Sequence, residues 1–351
     1  MIRKLLRTIG YLLFVSIISV AGLNLVYVSG LFDFYKPELT SFNSGKDLQS
    51  SHEKDTILVM GDSFTAGNNS FPNILRNILP DHRIINSGVS GTGVAQTLLM
   101  AKDRIERFEP DIFVYQIYPG NDLFDIRYPI NWKQLPFSRN LYWLISSKLR
   151  VISFINYRLA QIFASDQQYY SEFSPVEVSQ HFREKFSVEK YTKRDLIYNL
   201  GDPGLVEDSI LLSGERGEDF QVFIGKLSRL LNMVPADCRI VLVVIPHMSQ
   251  LNTRYLNQSV QLGARYIRPN KVLETQYPFI RGLEEYFPNA VIVNALPSLR
   301  NKEESGTQVY FSNDSHLNQA GQQVIAGTIA SHLALSGIFP DTTLPFPLNK
   351  N

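Results

Sequence analysis

The run Thr56-Ile57-Leu58-Val59-Met60 carries no charge and stops at Gly61-Asp62-Ser63. A short apolar run bounded by turn residues predicts a strand buried on both faces. Such strands belong to parallel sheets covered by helices. Further strand patterns fall at 83–85, 112–116, 240–245 and 291–293. Helix patterns fall between and after them, at 71–79, 94–108, 219–231, 278–286 and 319–335. The helix at 94–108 puts Leu98, Leu99, Ala101, Ile105 and Phe108 on one broad face and leaves Lys102, Arg104 and Glu106 outside. Strand and helix in alternation predict a five-stranded parallel sheet in a three-layer α/β/α sandwich.

The third and fourth strands lie too far apart in sequence for one crossover, and the helix at 219–231 supplies that crossover. Residues 123–214 therefore read as an insertion, dividing a core of 55–122 and 215–338. The insertion is rich in aromatics: Tyr128, Trp132, Phe137, Tyr142, Trp143, Phe154, Tyr157, Phe163, Tyr169, Tyr170 and Phe173. Its stretch 141–163 reads as helical and amphipathic. It leaves from the carboxyl end of a strand, on the rim where open α/β sheets bind ligands. A lid or substrate platform, a self-packed helical subdomain and a face lying on a membrane surface are all consistent with this. Residues 33–54 read as a polar linker, and 339–351 as an extended Pro-rich tail.

Arg3, Lys4 and Arg7 precede an uncharged, apolar stretch at 8–32. About 25 helical residues at ~1.5 Å each reach ~37 Å, enough for a ~30 Å hydrocarbon core. Residues 1–32 thus read as a membrane anchor. The positive flank keeps the N-terminus cytoplasmic and puts the remainder outside. The competing reading is a cleaved signal and a secreted protein, but no small-x-small cleavage site follows. The 34 basic and 33 acidic residues give a net charge of +1 with no long basic run, which argues against nucleic acid as partner. Cys238 is the only cysteine, which excludes an internal disulfide and a cysteine metal cluster. His52, His82 and His181 have no partners at ligand spacing, so neither metal nor cofactor is expected. Oligomeric state is not legible.

Four segments at the carboxyl ends of strands or before the last helix carry candidate chemistry. Ser63, after the first strand, is a candidate nucleophile, although it reads equally well as a helix cap. The glycines of Asn86-Ser87-Gly88-Val89-Ser90-Gly91-Thr92-Gly93 let a backbone N–H approach a site, or simply form a turn. In Tyr118-Pro119-Gly120-Asn121-Asp122, the Asn121 amide can donate to an oxyanion; the bland reading is a turn. In Asn313-Asp314-Ser315-His316, His316 can serve Ser63 as base while Asp314 holds the imidazole tautomer. The bland reading is a solvated histidine with Asp314 or Asn318 capping the last helix. His247, after the fourth strand, is a possible substrate contact, and His332 reads as structural.

In this order the four segments resemble the SGNH, or GDSL-type, serine hydrolases. Gly61-Asp62-Ser63 is similar to the family's first block, Gly88 to the second, Gly120-Asn121-Asp122 to the third, and Asp314 with His316 to the last. The resemblance covers 55–122 and about 236–335, outside the anchor and the insertion. It implies a flavodoxin-like sheet of order 2-1-3-4-5. It also implies an oxyanion hole from the Ser63 N–H, the Gly88 N–H and the Asn121 amide. One departure is that the commonest pattern places Asp three residues before His, whereas position 313 is Asn and Asp314 lies two before His316. That spacing resembles the polysaccharide acetyltransferase and acetylesterase branch. A Ser–His dyad with a backbone carbonyl as orienting group is the alternative. The α/β-hydrolase elbow does not fit, because Thr65 stands where its second glycine belongs.

The expected activity is a serine esterase on O-acyl, chiefly O-acetyl, esters of envelope or exported carbohydrate. The alternatives are a carbohydrate O-acyltransferase or a lipid esterase with the same triad. From another class comes an inactive, membrane-tethered binding or assembly protein.

Overall fold

The structure, a computed structural model, describes residues 2–45, 47–49, 55–127, 135–163 and 185–335. Strands β1 Thr56–Met60, β2 Arg83–Asn86, β3 Ile112–Ile117, β4 Arg239–Val244 and β5 Val291–Asn294 form one sheet. Its order is β2-β1-β3-β4-β5, and every pairing is parallel. The expected sheet and strand order are thus present. The three central strands are buried nearly throughout because helices cover both faces.

The helices are α1 Ile2–Ser29, α2 Lys36–Phe42, α3 Phe71–Ile78, α4 Val94–Phe108, α5 Phe137–Lys148, α6 Val151–Phe163 and α7 Lys193–Gly201. They continue as α8 Leu205–Leu211, α9 Glu215–Leu231, α10 Thr253–Gln261, α11 Pro269–Val272, α12 Pro278–Tyr286, α13 Leu296–Glu304 and α14 Gln319–Leu335. One pair of helices, α3 and α14, pack together, and α4 packs with α9. Gly61 is required where β1 ends: a Cβ there would lie 2.3 Å from Thr65 Oγ1 and 2.5 Å from Gln116 Oε1.

Helix α1 has 28 residues, a length of ~42 Å. Among the described residues it is the one helix long and apolar enough to cross a membrane. Its last turns are not free. Tyr27 is fully buried and bonds Tyr35 across 2.8 Å, and the Val151 N–H donates to Asn24 Oδ1 at 3.1 Å.

Two expectations change here. Residues 33–43 do not form a polar linker: α2 lies on the core, with Leu39 and Tyr35 buried, while residue 46 and residues 50–54 lie outside the described residues. Arg104 does not face outward. It is fully buried, pairs with Asp33 at 2.9 Å, and donates to Ser87 O at 2.9 Å and Tyr35 O at 3.0 Å. The segment around Asp33 covers the Arg104 side of α4, while Lys102 and Glu106 stay exposed as expected. The stretch 141–163 is two helices, broken at Leu149 (φ −113°, ψ 85°).

The insertion's aromatics pack in two places. Phe154 and Tyr157 pack against Tyr35, and Phe154 also against Tyr27 and Phe34, bracing the end of α1. Trp143 joins Phe124, Leu135 and Leu205 in a small separate core. Tyr128, Trp132, Tyr169, Tyr170 and Phe173 lie outside the described residues, as do 336–351, which include the tail.

Candidate active site

Ser63 stands in the turn that leaves β1. The carbonyl of Asp62 accepts from the N–H groups of Thr65 and Ala66, and Asp62 Oδ1 accepts from Phe64 N–H at 2.9 Å. Gln116 Oε1, from β3, accepts from the Asp62 N–H at 3.0 Å. These bonds hold the turn open around Ser63, whose own N–H has no partner among the described residues.

Residues 310–317 form a tight loop closed by a bridge between Tyr310 and Leu317. Asn318 Oδ1 accepts from Gly321 N–H, so Asn318 caps α14 and leaves Asp314 and His316 for the cleft. His316 Nε2 lies 2.8 Å from Ser63 Oγ. Asp314 Oδ1 meets His316 Nδ1 on the other side of the ring and accepts the His316 backbone N–H at 2.8 Å. Residues 253 positions apart thus share one line of hydrogen bonds. Burial alone would disfavour the imidazolium, but the Asp314 carboxylate outweighs it and raises the His316 pKa above its ordinary value. Burial alone would raise Asp314, yet His316 draws it below the usual carboxylate range. This arrangement fits a neutral imidazole with its proton on Nδ1 and Nε2 accepting from the serine hydroxyl.

Gly120 sets the turn after β3, where a Cβ would lie 2.4 Å from the Tyr118 ring. Asn121, next in the chain, lines the cleft; its Nδ2 makes a long 3.4 Å bond to Asp62 Oδ2, leaving a second N–H for a ligand. Gly88 behaves differently from its expected role. It is absent from the cleft lining, and its N–H donates to Asn86 Oδ1 at 3.1 Å. A Cβ there would lie 2.6 Å from Ala66 N, so this glycine allows close packing of two turns. Ser63 and Asn121 are brought to the cleft and Gly88 is not.

The cleft opens to solvent and has about 60 Å³ of room for the centres of water-sized molecules. Phe64, Tyr118 and His247 form an aromatic side, with Phe64 centred 5.0 Å from His316 and Tyr118 6.1 Å from His247. His247 lines the cleft but is already engaged: its Nδ1 accepts from the Ser249 N–H at 3.2 Å, and burial lowers its pKa to about 4. His332 is remote in role, its Nδ1 bonded to Thr328 O within α14. Among the described residues no group of three or more His, Cys, Asp or Glu is arranged to hold a metal ion.

The opposite wall comes from the insertion. Tyr191 and, from α7, Asp195, Tyr198 and Asn199 line the cleft, with Leu205 and Val206 from α8. Thr192 is bonded to the loop of the candidate acid: its N–H donates to Asn313 O at 3.1 Å, and its Oγ1 lies 3.2 Å from Asp314 Oδ2. Asn313, where the commoner pattern has Asp, accepts the Ser187 N–H at 2.8 Å and donates to Lys185 O. It fastens insertion to core. Thr192 and Asp195 gave no sign of this in the sequence, where Thr-x-x-Asp reads as an ordinary helix start.

No family model matches the chain, and no curated protein matches it. Among solved structures it is similar to LAE5, an alpha/beta hydrolase enzyme from the metagenome of Lake Arreo, Spain. The identity is 14% over 81% of this chain and 95% of that one, with a TM-score of 0.39. It is similar to a member of the lipolytic protein G-D-S-L family from Veillonella parvula, at 10% identity over 78% and 96% of the two chains, TM-score 0.36. A third is the C-terminal catalytic domain of peptidoglycan O-acetyltransferase A from Streptococcus pneumoniae, at 13% identity over 82% and 97%, TM-score 0.34.

Proposed function

We propose that this chain is a membrane-anchored serine esterase or acyltransferase of SGNH type, acting through Ser63, His316 and Asp314. The observation that carries the reading is the unbroken line from Ser63 Oγ through both nitrogens of His316 to Asp314. The bland readings of those residues, a cap and a solvated loop, do not require that line.

In this reading Ser63 Oγ attacks an ester carbonyl while its proton passes to His316 Nε2. A C–O bond forms, and the carbonyl electron pair moves onto oxygen. The oxyanion is held by the Ser63 N–H and Asn121 Nδ2. On collapse the bond to the leaving alcohol breaks, and that alcohol takes the proton from Nε2. Water or a second hydroxyl then attacks the serine ester with His316 again as base, returning Ser63. Asp314 stays ionised and stabilises the transient imidazolium.

The cleft supports a short acyl group on a polyhydroxylated alcohol. Leu205, Val206, Leu262 and Ala264 provide a limited apolar surface, and Asp195, Asn199 and Ser315 offer polar partners beside it. The preferred substrate class is therefore O-acetyl esters of envelope or exported carbohydrate. The apolar α1, with Arg3, Lys4 and Arg7 before it, supports a single span with the catalytic domain outside the cytoplasm. In this reading the core of 55–122 and 215–338 holds the reacting groups and the insertion 123–214 supplies one wall.

Labelling by a fluorophosphonate tests the nucleophile: the wild-type chain labels, and Ser63→Ala does not. Equal labelling of the two sinks the enzyme reading and leaves the binding-protein alternative. Release of acetate from acetylated glycan, compared with cleavage of long-chain acyl esters, tests the substrate class.

A further inference from the structure

Behind Asp314 stands a second carboxylate, and one hydroxyl serves both. Thr192 Oγ1 lies 3.1 Å from Asp195 Oδ2 and 3.2 Å from Asp314 Oδ2, with Asn313 O at 3.3 Å. A threonine hydroxyl carries one proton. If both carboxyls were ionised, only one could receive it, and the other would face oxygen lone pairs. The geometry is satisfied when one carboxyl carries a proton. Asp314 is fixed as the anion by two N–H groups of His316. The proton then belongs to Asp195.

Resting on the Ser63–His316–Asp314 reading, we propose that Thr192 and Asp195 are positioning residues for the acid: protonated Asp195 donates to Thr192 Oγ1, which donates to Asp314 Oδ2. The insertion thereby contributes the last two members of a line that ends at Ser63. Each hydrogen bond has one donor and one acceptor, and no net proton moves during a turnover.

A helix cap is the competing explanation, since Thr192 and Asp195 stand at the start of α7. Yet Thr192 makes no side-chain cap bond to the helix. Its hydroxyl points instead to the two carboxylates and the Asn313 carbonyl. The groups facing Asp195 agree with a protonated acid. From the 310–317 loop come Asp314, His316 and the Ser315 hydroxyl; from the turn after β3 comes Tyr118; from its own segment come Thr192 and Tyr191. Burial, then the Asp314 charge, raises the Asp195 pKa; His316 and the hydroxyl bonds only partly oppose this. Burial also keeps Tyr118 and Tyr191 neutral by raising them well above their ordinary range.

The test uses the full chain, with p-nitrophenyl acetate turnover and the rate of Ser63 phosphonylation as two readouts. Thr192→Val should lower kcat and the phosphonylation rate about 10- to 100-fold, as expected for a bond to a charged group, with KM within about twofold. Thr192→Ser should restore both. The wild-type rate should fall again on the alkaline side as Asp195 ionises. Asp195→Asn, which keeps a donor but cannot titrate, should lose that fall. A Thr192→Val chain as fast as wild type, or an alkaline fall that persists in Asp195→Asn, overturns the proposal while His316→Ala remains inactive. An active His316→Ala would overturn the underlying reading, and this proposal with it. If Thr192→Val fails to fold, the Asp195→Asn profile and the Thr192→Ser rate still decide.

Discussion

Two buried ion pairs in this molecule differ in the one property that matters for chemistry. Arg104 and Asp33 are both nearly inaccessible, with further bonds from the guanidinium to Ser87 and Tyr35. His316 and Asp314 are also largely buried, and the imidazole reaches Ser63. A guanidinium is never deprotonated in a protein, so the cation of the first pair cannot give up a proton. An imidazole titrates near neutrality, so the second pair can give and take a proton. The first pair joins the segment after α1 to the catalytic core. The second is the candidate machinery. Burial with a permanent charge makes a clamp, and burial with a titratable one makes a tool.

The contrast breaks most visibly at the tool. Ser63→Ala and His316→Ala should each lower kcat by about 10,000-fold or more while leaving the melting temperature near wild type. A large loss of stability with modest loss of turnover would reverse the assignment. At the clamp the reverse is expected. Arg104→Met strands the buried Asp33 carboxylate and should cost about 3–5 kcal/mol of stability, read from denaturant midpoints. Turnover per folded molecule should stay within about twofold. Adding Asp33→Asn should recover part of the loss, because neither charge then remains unpaired.

Asn121→Ala sharpens the reading of the site. One oxyanion donor is worth about 3 kcal/mol, so kcat should fall about 100-fold or more. Stability should hardly change, since Asn121 Oδ1 is already unpartnered and its Nδ2 bond is long. The same residue made irrelevant to kcat would leave Ser63 without its side-chain donor.

The pH dependence should separate the two pairs further. His316 is raised in the folded chain, burial being outweighed by Asp314. Its pairing therefore adds stability that is fully present below the ordinary histidine pKa and lost as pH rises through the folded value. Turnover needs the neutral ring, so kcat/KM should rise over the same interval. The protein is most active where this pairing no longer helps it. Wild type minus His316→Gln, compared by melting temperature against pH, shows the effect; a difference flat across neutrality would contradict it. His247 acts with opposite sign. Its pKa is lowered to about 4 by burial, so the unfolded chain binds more protons between that value and 6.5. Stability should decline as pH falls through this range, and His247→Gln should flatten the decline.

The sheet was legible because its signal is local. Helices Val94–Phe108, Pro278–Tyr286 and Gln319–Leu335 match their patterns end to end, and the strand ends differ by a residue or so. Ser63 and Asn121 were legible as residue types at strand ends, where an open α/β sheet presents side chains, and Asp314 with His316 as residue types before the last helix. Arg104 was not. Its helix pattern is correct, but which face is outer depends on a segment 71 residues upstream. Gly88 was ambiguous for a related reason: a glycine serves equally for an exposed N–H and for close packing, and its close approach to Thr65 and Ala66 is a contact between separate turns. Thr192 and Asp195 were hidden by a pattern with a sufficient local explanation.

From the sequence alone came the order of elements, the sheet they build, the apolar N-terminal helix and the residue types able to cleave an ester. All of these follow from periodicity and from chemistry within a few residues. Only the tertiary structure decided that Ser63 and His316 meet, that Arg104 is interior and that the insertion reaches Asp314 through Thr192. Those are contacts between segments far apart in the chain. Their geometry depends on how whole elements pack, which no local pattern encodes.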